Sequence, residues 1–383
     1  LSGSTRVRNR QTSVAINVTS IILSLMVVVV VGFVWATGGA DRDYTGEGNG
    51  DVVMVNVAAG ESLSSLADQL AGDGVVASTS AFSGAASGHP RANQLQPGWY
   101  RLEKRMSAEA AVNALLDPTR QAGTVDFPTG IRFEDTYVVG SDDVRKGIFT
   151  MISEASCTSE EDCITVEDLR STAGTADLNA LGVPEWARGE VGARGDDPRR
   201  LEGLITPGIH SFDPSAEAVE ILNSLVSDSA MQYEETGILQ ASERIGLSPY
   251  EIIVSASMIQ MEAHQQDFAK VSRVILNRLE EPMRMQFDST VNYDLEDQEV
   301  ATTDEDRARE TAWNTYAMDG LPATPIASPS IEAIQAVENP EEGAWLYFVT
   351  IDQEGTTIFT DNFDDHNAAI QQSIEGGVLD SNR

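Results

Sequence analysis

Glu262 is the first residue in the chain that is placed to give up a proton. It follows Val254, Met258 and Met261, apolar residues at i, i+4 and i+7, with Ile259 beside them. That series is the core-facing stripe of an amphipathic helix. Glu262 comes four residues after Met258 and three after Ile259, so it extends the border of the stripe. A carboxyl at such a margin loses part of its hydration, which disfavours the anion and raises its pKa. It can then stay protonated near neutrality and deliver a proton to a leaving oxygen. A glutamate that edges a buried face with its carboxylate in solvent would leave the same pattern.

Two later stretches are rich in groups that bind hydroxyls. Met285–Val291 places Gln286, Asp288, Ser289 and Thr290 among Met285, Phe287 and Val291. Trp313, Asn314, Thr315 and Tyr316 precede a loop containing Leu321, Pro322, Pro325 and Pro329. Closely spaced prolines hold a loop extended and remove backbone donors. Aromatic faces and amides ahead of such a loop suit a sugar, whose ring faces and hydroxyls they match. The alternative is an interdomain linker, but regular patterns resume on both sides. A third stretch, Leu201–Gly208, holds Glu202 and by itself reads only as a turn with a charge. No Ser-His-Asp, Cys-His or HExxH spacing is visible, which argues against peptide hydrolysis.

These residues need elements to hold them, and the expected fold class is α+β, with helices dominant in the second half. A helix beginning at Ser248-Pro249 and running to about Leu279 would carry Glu262, with Ser248 as its N-cap and Pro249 at its first position. Before it, Ala216–Val226 and Ala230–Ile245 read as helices. After it, Trp345–Ile351 and Thr357–Thr360 read as a hairpin turned at Gly355, and Asn362 caps a last helix. Residues 201–383 are therefore expected to form one catalytic domain. Residues 121–200 read as a connecting region with an acidic loop. Residues 51–120 form a small domain, with a strand at Val52–Val57, helices at Ser62–Leu70 and Ser107–Leu116, and a returning strand at Gly98–Leu102. Val55-Asn56-Val57 with Gly60 is echoed by Val125-Asp126-Phe127 with Gly130, either a repeated strand–turn–helix unit or chance.

The N-terminal segment sets the expected topology. Val14–Ala36 is almost wholly apolar, and at about 1.5 Å per residue it would span a bilayer core of roughly 30 Å. A transmembrane helix over 13–36 then separates a tail, 1–12, from a linker, 37–50. Arg6, Arg8 and Arg10 put the tail in the cytoplasm by the positive-inside rule, and everything after the anchor outside. A cleaved signal peptide competes, although its apolar stretch would be shorter. Cys157 and Cys163 flank a short acidic run, and in an exported domain that spacing suggests a local disulfide. The four histidines are scattered, so no metal site is expected. With 60 acidic residues against 25 basic ones, the chain lacks the cation clusters that nucleic-acid binding needs.

The order of these segments resembles the MltG (YceG-like) family of endolytic murein transglycosylases from the anchor onward. Leu201–Pro207 is similar to the family's "LEG-x-x-x-P", and Ala256–Glu262 to its "AS-[I/L]-V-E-x-E" helix. Val271–Leu279 is similar to "V-x-x-V-x-x-NRL", and Met285–Val291 to "LQ-x-DPTV". Trp313–Ile326 resembles "YNTY…GLPP-x-PI", and Asp365-His366-Asn367 the late "EHN". Gln260 stands at the motif's earlier glutamate, Ser289 at the proline of "DPTV", and Ala323 at the second proline of "GLPP".

The resemblance implies that Glu262 is the catalytic acid. It implies substrate positioning by Glu202, Gln286, Asp288, Thr290, Asn314, Thr315, Tyr316, Leu321 and Pro322, and a LysM-like fold for residues 51–120. The implied reaction cuts the MurNAc-β-1,4-GlcNAc bond of nascent glycan strands, leaves 1,6-anhydro ends and limits strand elongation. No cofactor or metal is implied. The implied partners are peptidoglycan glycan strands and membrane peptidoglycan synthases. A hydrolytic muramidase, pairing Glu262 with Asp288 or Glu202, and a non-catalytic wall-binding scaffold are the rival readings.

Overall fold

A computed structural model describes residues 43–138, 143–157, 163–295, 297–298 and 302–378. The expected tail and transmembrane helix, and most of the run between the cysteines, lie outside the described residues. Among the described residues no helix is long and apolar enough to cross a membrane. The chain is mixed α+β and divides after Gln121 into two units, each with a hydrophobic core of its own.

In the first unit, β1 (Val52–Val57) pairs antiparallel with β2 (Gly98–Glu103), Val52 opposite Glu103 and Val57 opposite Gly98. Between them lie a 3-10 turn (Leu63–Leu66), α1 (Ala67–Gly72) and α2 (Thr79–Ala86), and α3 (Ala108–Leu115) follows β2. Ser62, Ser78 and Ser107 each accept from a first-turn amide, which starts these short helices where propensity alone would not. Val55, Leu66, Leu70, Phe82, Leu102 and Leu115 close the core. The described part of the expected linker is tied down rather than free. Asp43 accepts from the Ala108 amide at 2.9 Å, and the Gly50 amide donates to Glu103 at 2.7 Å. Asp43, which looks like solvated linker in sequence, serves the first amide of α3 here.

The second unit is built around two helices where the sequence pattern predicts one. α8 (Pro249–Glu262) ends at Glu262, and α9 (Phe268–Glu280) begins six residues later. Ala263 between them is extended, at φ −133° and ψ 159°. Neither Gly nor Pro marks the break, so tertiary context overrides helix propensity. α8 is also buried all round rather than on one stripe. Ile252, Ile253, Val254, Ala256, Met258 and Ile259 are all fully buried.

Residues 121–200 are not a separate connector. β3 (Thr124–Phe127) pairs antiparallel with β4 (Gly208–Ser211), and α4 (Ile148–Ala155) and α5 (Val166–Thr175) bury Phe149, Ile152 and Leu169 in the same core as α8. Their apolar positions are few but well spaced, and the many acids between them hide the period. The Val125–Gly130 echo of β1 stops at its turn, because no helix follows Gly130. α6 (Ala218–Glu235) runs through the expected gap near residue 228, and Gly237, at φ +94°, separates it from α7 (Ile238–Ile245). After α9 come the short α10 (Asp288–Asn292) and α11 (Asp304–Arg307), then α12 (Ile331–Glu338). β5 (Tyr347–Thr350) and β6 (Thr357–Thr360) form the expected hairpin, and α13 (Phe363–Glu375) closes the chain with Asn362 as N-cap.

Candidate active site

Ser248 starts α8 with a capping box. Its hydroxyl accepts from the Glu251 amide at 3.2 Å, and Glu251 accepts from the Ser248 amide at 2.7 Å. Fourteen residues later the helix delivers Glu262 as its last residue. The unpaired carbonyls at a helix C-terminus are adverse to a carboxylate there. Glu262 is half-buried and lines a cavity of about 600 Å³ with Arg278, Gln286, Asp288, Arg307, Tyr316, Tyr347 and His366 among others. Burial raises its pKa and the neighbouring Asp288 charge adds to the effect, while hydrogen bonding from Ser289 works against it. The Ser289 amide donates to Glu262 Oε1 at 2.9 Å. A proton donor of this kind suits general acid catalysis.

Asp288, the other carboxylate of the cavity wall, is fully engaged. Tyr316 Oη donates to its Oδ1 at 2.7 Å and Thr302 Oγ1 at 2.9 Å, while Arg307 reaches both oxygens at 3.0 Å. Its charge is matched by a guanidinium, which leaves it poorly placed to act as a second base or nucleophile. Burial, together with the same hydrogen bond, pushes the Tyr316 hydroxyl pKa up, so Tyr316 keeps its proton and donates it to Asp288. Gln286 reaches the cavity from a backbone at φ +54°, unusual for a residue other than glycine and a form of strain that clusters at functional sites.

Of the predicted site residues, the structure brings Glu262, Gln286, Asp288 and Tyr316 to one cavity, and the others do not line it. Asn314 is buried, and its amide donates to the carbonyls of Asp306, Arg307 and Arg309. It thereby holds the segment that carries Arg307. Thr290 and Thr315 are buried and bonded to each other at 2.8 Å, and Thr315 accepts from the Phe287 amide, so both brace the Gln286 loop. Leu321 packs against the core and Pro322 is buried, and neither lines the cavity.

Glu202 sits apart as well. It accepts from Tyr293 Oη at 3.0 Å and from the Phe133 amide, and it borders a separate cavity of about 240 Å³ with Arg132, Arg199 and Asp294. Burial lifts its pKa to about 7 despite the Arg132 guanidinium. Gln260 turns away too, accepting from the Ser330 amide at 3.0 Å at the entry to α12. Glu262 is therefore the only acid the motif helix gives the cavity.

Sequence reasoning missed the wall contributed by the C-terminus. Tyr347 stacks on His366, with ring centres 5.0 Å apart, and Phe363 borders the same space while 58% exposed. Arg278 donates to the carbonyls of Leu346, Arg284 and Met285, tying this wall to the Gln286 loop. Arg278 and His366 fall inside runs that were visible in the sequence, but nothing there pointed them at Glu262. Arg307 stands in an acidic stretch that reads as solvated surface. Cys157 and Cys163 are disulfide-bonded, with S–S 2.07 Å. Among the described residues no cluster of His, Cys, Asp and Glu could hold a metal ion.

The model of the YceG-like family matches residues 55–372. An endolytic murein transglycosylase of Bacillus subtilis is 26% identical over 326 residues, 84% of this chain and 85% of that protein. An endolytic murein transglycosylase of Streptococcus pneumoniae is 23% identical over 84% of this chain, which spans 58% of the streptococcal protein. A yceG-like protein of Listeria monocytogenes, known from its crystal structure, shares the fold. Its TM-score is 0.50 at 22% identity, covering 83% of this chain and 99% of that one.

Proposed function

The chain belongs to the YceG-like family, and on that premise we propose that it is an endolytic lytic transglycosylase of peptidoglycan. The observation that carries the reading is a single carboxyl disposed to hold a proton, Glu262, whose one acidic neighbour among the described lining residues is already ion-paired with Arg307. Protonated Glu262 gives its proton to the oxygen between MurNAc C1 and GlcNAc, and that C1–O bond breaks. The resulting carboxylate then takes the proton of the muramoyl 6-hydroxyl as O6 bonds to C1. Glu262 ends protonated, no water is consumed, and the new end is 1,6-anhydro. Two-carboxylate hydrolases instead need a free second carboxylate to direct water or form an adduct. Gln286 offers a donor to the sugar, Tyr316, whose hydrogen is held by Asp288, offers its oxygen as an acceptor, and the Tyr347–Phe363 wall offers faces to its rings.

The finer expectations belong to the same proposal. Val14–Ala36 anchors the chain with its catalytic unit outside the cell, a compartment that permits the Cys157–Cys163 disulfide. Residues 51–120 act as a LysM-like glycan-binding module, and membrane peptidoglycan synthases supply the nascent strands. Mass spectrometry of peptidoglycan digests tests the reaction. Anhydro-muramoyl ends from the wild type and intact strands with Glu262→Gln are expected, whereas reducing muramic ends would mean a muramidase.

A further inference from the structure

The main chain of Ser289 is what touches the Glu262 carboxyl. As the second residue of α10, its amide has no partner within the helix. It donates to Glu262 Oε1 at 2.9 Å, a bond that a proline at this position has no hydrogen to make. The Ser289 hydroxyl is buried, makes no hydrogen bond among the described residues, and lies near enough to Glu262 to favour its anion.

We propose that Ser289 is a positioning residue for Glu262, whose amide fixes the carboxyl's orientation and favours the anion that takes the 6-hydroxyl proton in the second half of the reaction. Hydrogen bonds to a charged acceptor are stronger than those to a neutral one, so the amide holds the carboxyl in both states and the anion more firmly. Stabilising the anion makes Glu262 a stronger acid in the first half of the reaction and a weaker base in the second, so the chain gives up some basicity for a carboxyl that is held in place. Asp288, Arg307 and Tyr316 face Glu262 from α10, α11 and the loop after it, and Arg278, Tyr347 and His366 from α9, β5 and α13.

The activity arm of the test rests on the proposed reaction, while the spectroscopic arm does not. In the full chain, the Ser289 amide proton is followed by NMR against pH in wild type and in Glu262→Gln. The expected result is a titration whose midpoint matches the Glu262 carboxyl carbon and which vanishes in Glu262→Gln. An amide that fails to titrate, or titrates equally in both proteins, overturns the proposal whatever the enzyme does. In pH–rate profiles, Ser289→Pro should move the alkaline limb of kcat/KM upward by about one pH unit, and Ser289→Ala, which keeps the amide, by less. A folded Ser289→Pro with an unmoved limb also overturns it. If that variant does not fold, the NMR comparison decides alone. Glu262→Gln that retains activity would instead sink the proposed reaction and leave the hydrogen bond standing.

Discussion

Glu262 combines three influences that favour its acid form: burial, the adjacent Asp288 charge and a place at the carbonyl end of α8. Replacing it with glutamine keeps the shape and removes the proton. Glu262→Gln should lower kcat by about 10³-fold with little change in melting temperature, measured by product release and by calorimetry. Glu202 is buried and acidic too but lies apart from that cavity, and its effect should be on stability. Its folded pKa of about 7 is above the ordinary 4.5, so the folded state holds the proton more tightly than the unfolded chain. That contribution is full below about pH 4.5 and is lost as pH rises through 7, up to about 3 kcal/mol. Glu202→Gln should therefore flatten the fall in denaturant midpoint over that window. An unchanged slope would mean that Arg132 keeps the carboxylate ionised throughout. The helix period put Glu262 only at the border of a stripe, and the family resemblance rather than the period singled it out; in the structure it ends a helix instead.

The break after α8 shows what periodicity hides. Apolar residues continue in helical register from Val254 to Leu279, yet Ala263 is extended and Glu262 becomes terminal. The stop is enforced by what packs around it, and no single-residue signal announces it. Asn314 is the opposite case, conspicuous in sequence for its neighbours and doing its work inside the loop. Asn314→Ala leaves the carbonyls of Asp306, Arg307 and Arg309 without their donor. The expected cost is about 3 kcal/mol in urea denaturation, with activity falling because Arg307 loosens. The wall of β5, β6 and α13 was legible as a hairpin and a helix, but its place opposite Glu262 is a long-range fact that local pattern does not encode. Phe363→Ala should raise KM roughly fivefold on glycan strands and leave kcat nearly unchanged, the mark of lost sugar contact without lost chemistry.

For the molecule as a whole, two cores imply two folding units. Residues 122–383, expressed without the rest, should give one cooperative calorimetric transition, and residues 43–121 another. Failure of the larger piece to fold would show that its core depends on the first unit. The small unit could be outlined from its strand runs and from the apolar spacing of two helices, while α2, with its Ser78 cap, was not foreseen. The span 121–200 could not, since its buried positions are spread among acids that mimic solvated loop. The most direct test of the account is digestion of glycan strands in water enriched in heavy oxygen. A reaction closed by the muramoyl 6-hydroxyl predicts no heavy oxygen at the new muramic ends, and one heavy atom incorporated per cut would contradict it.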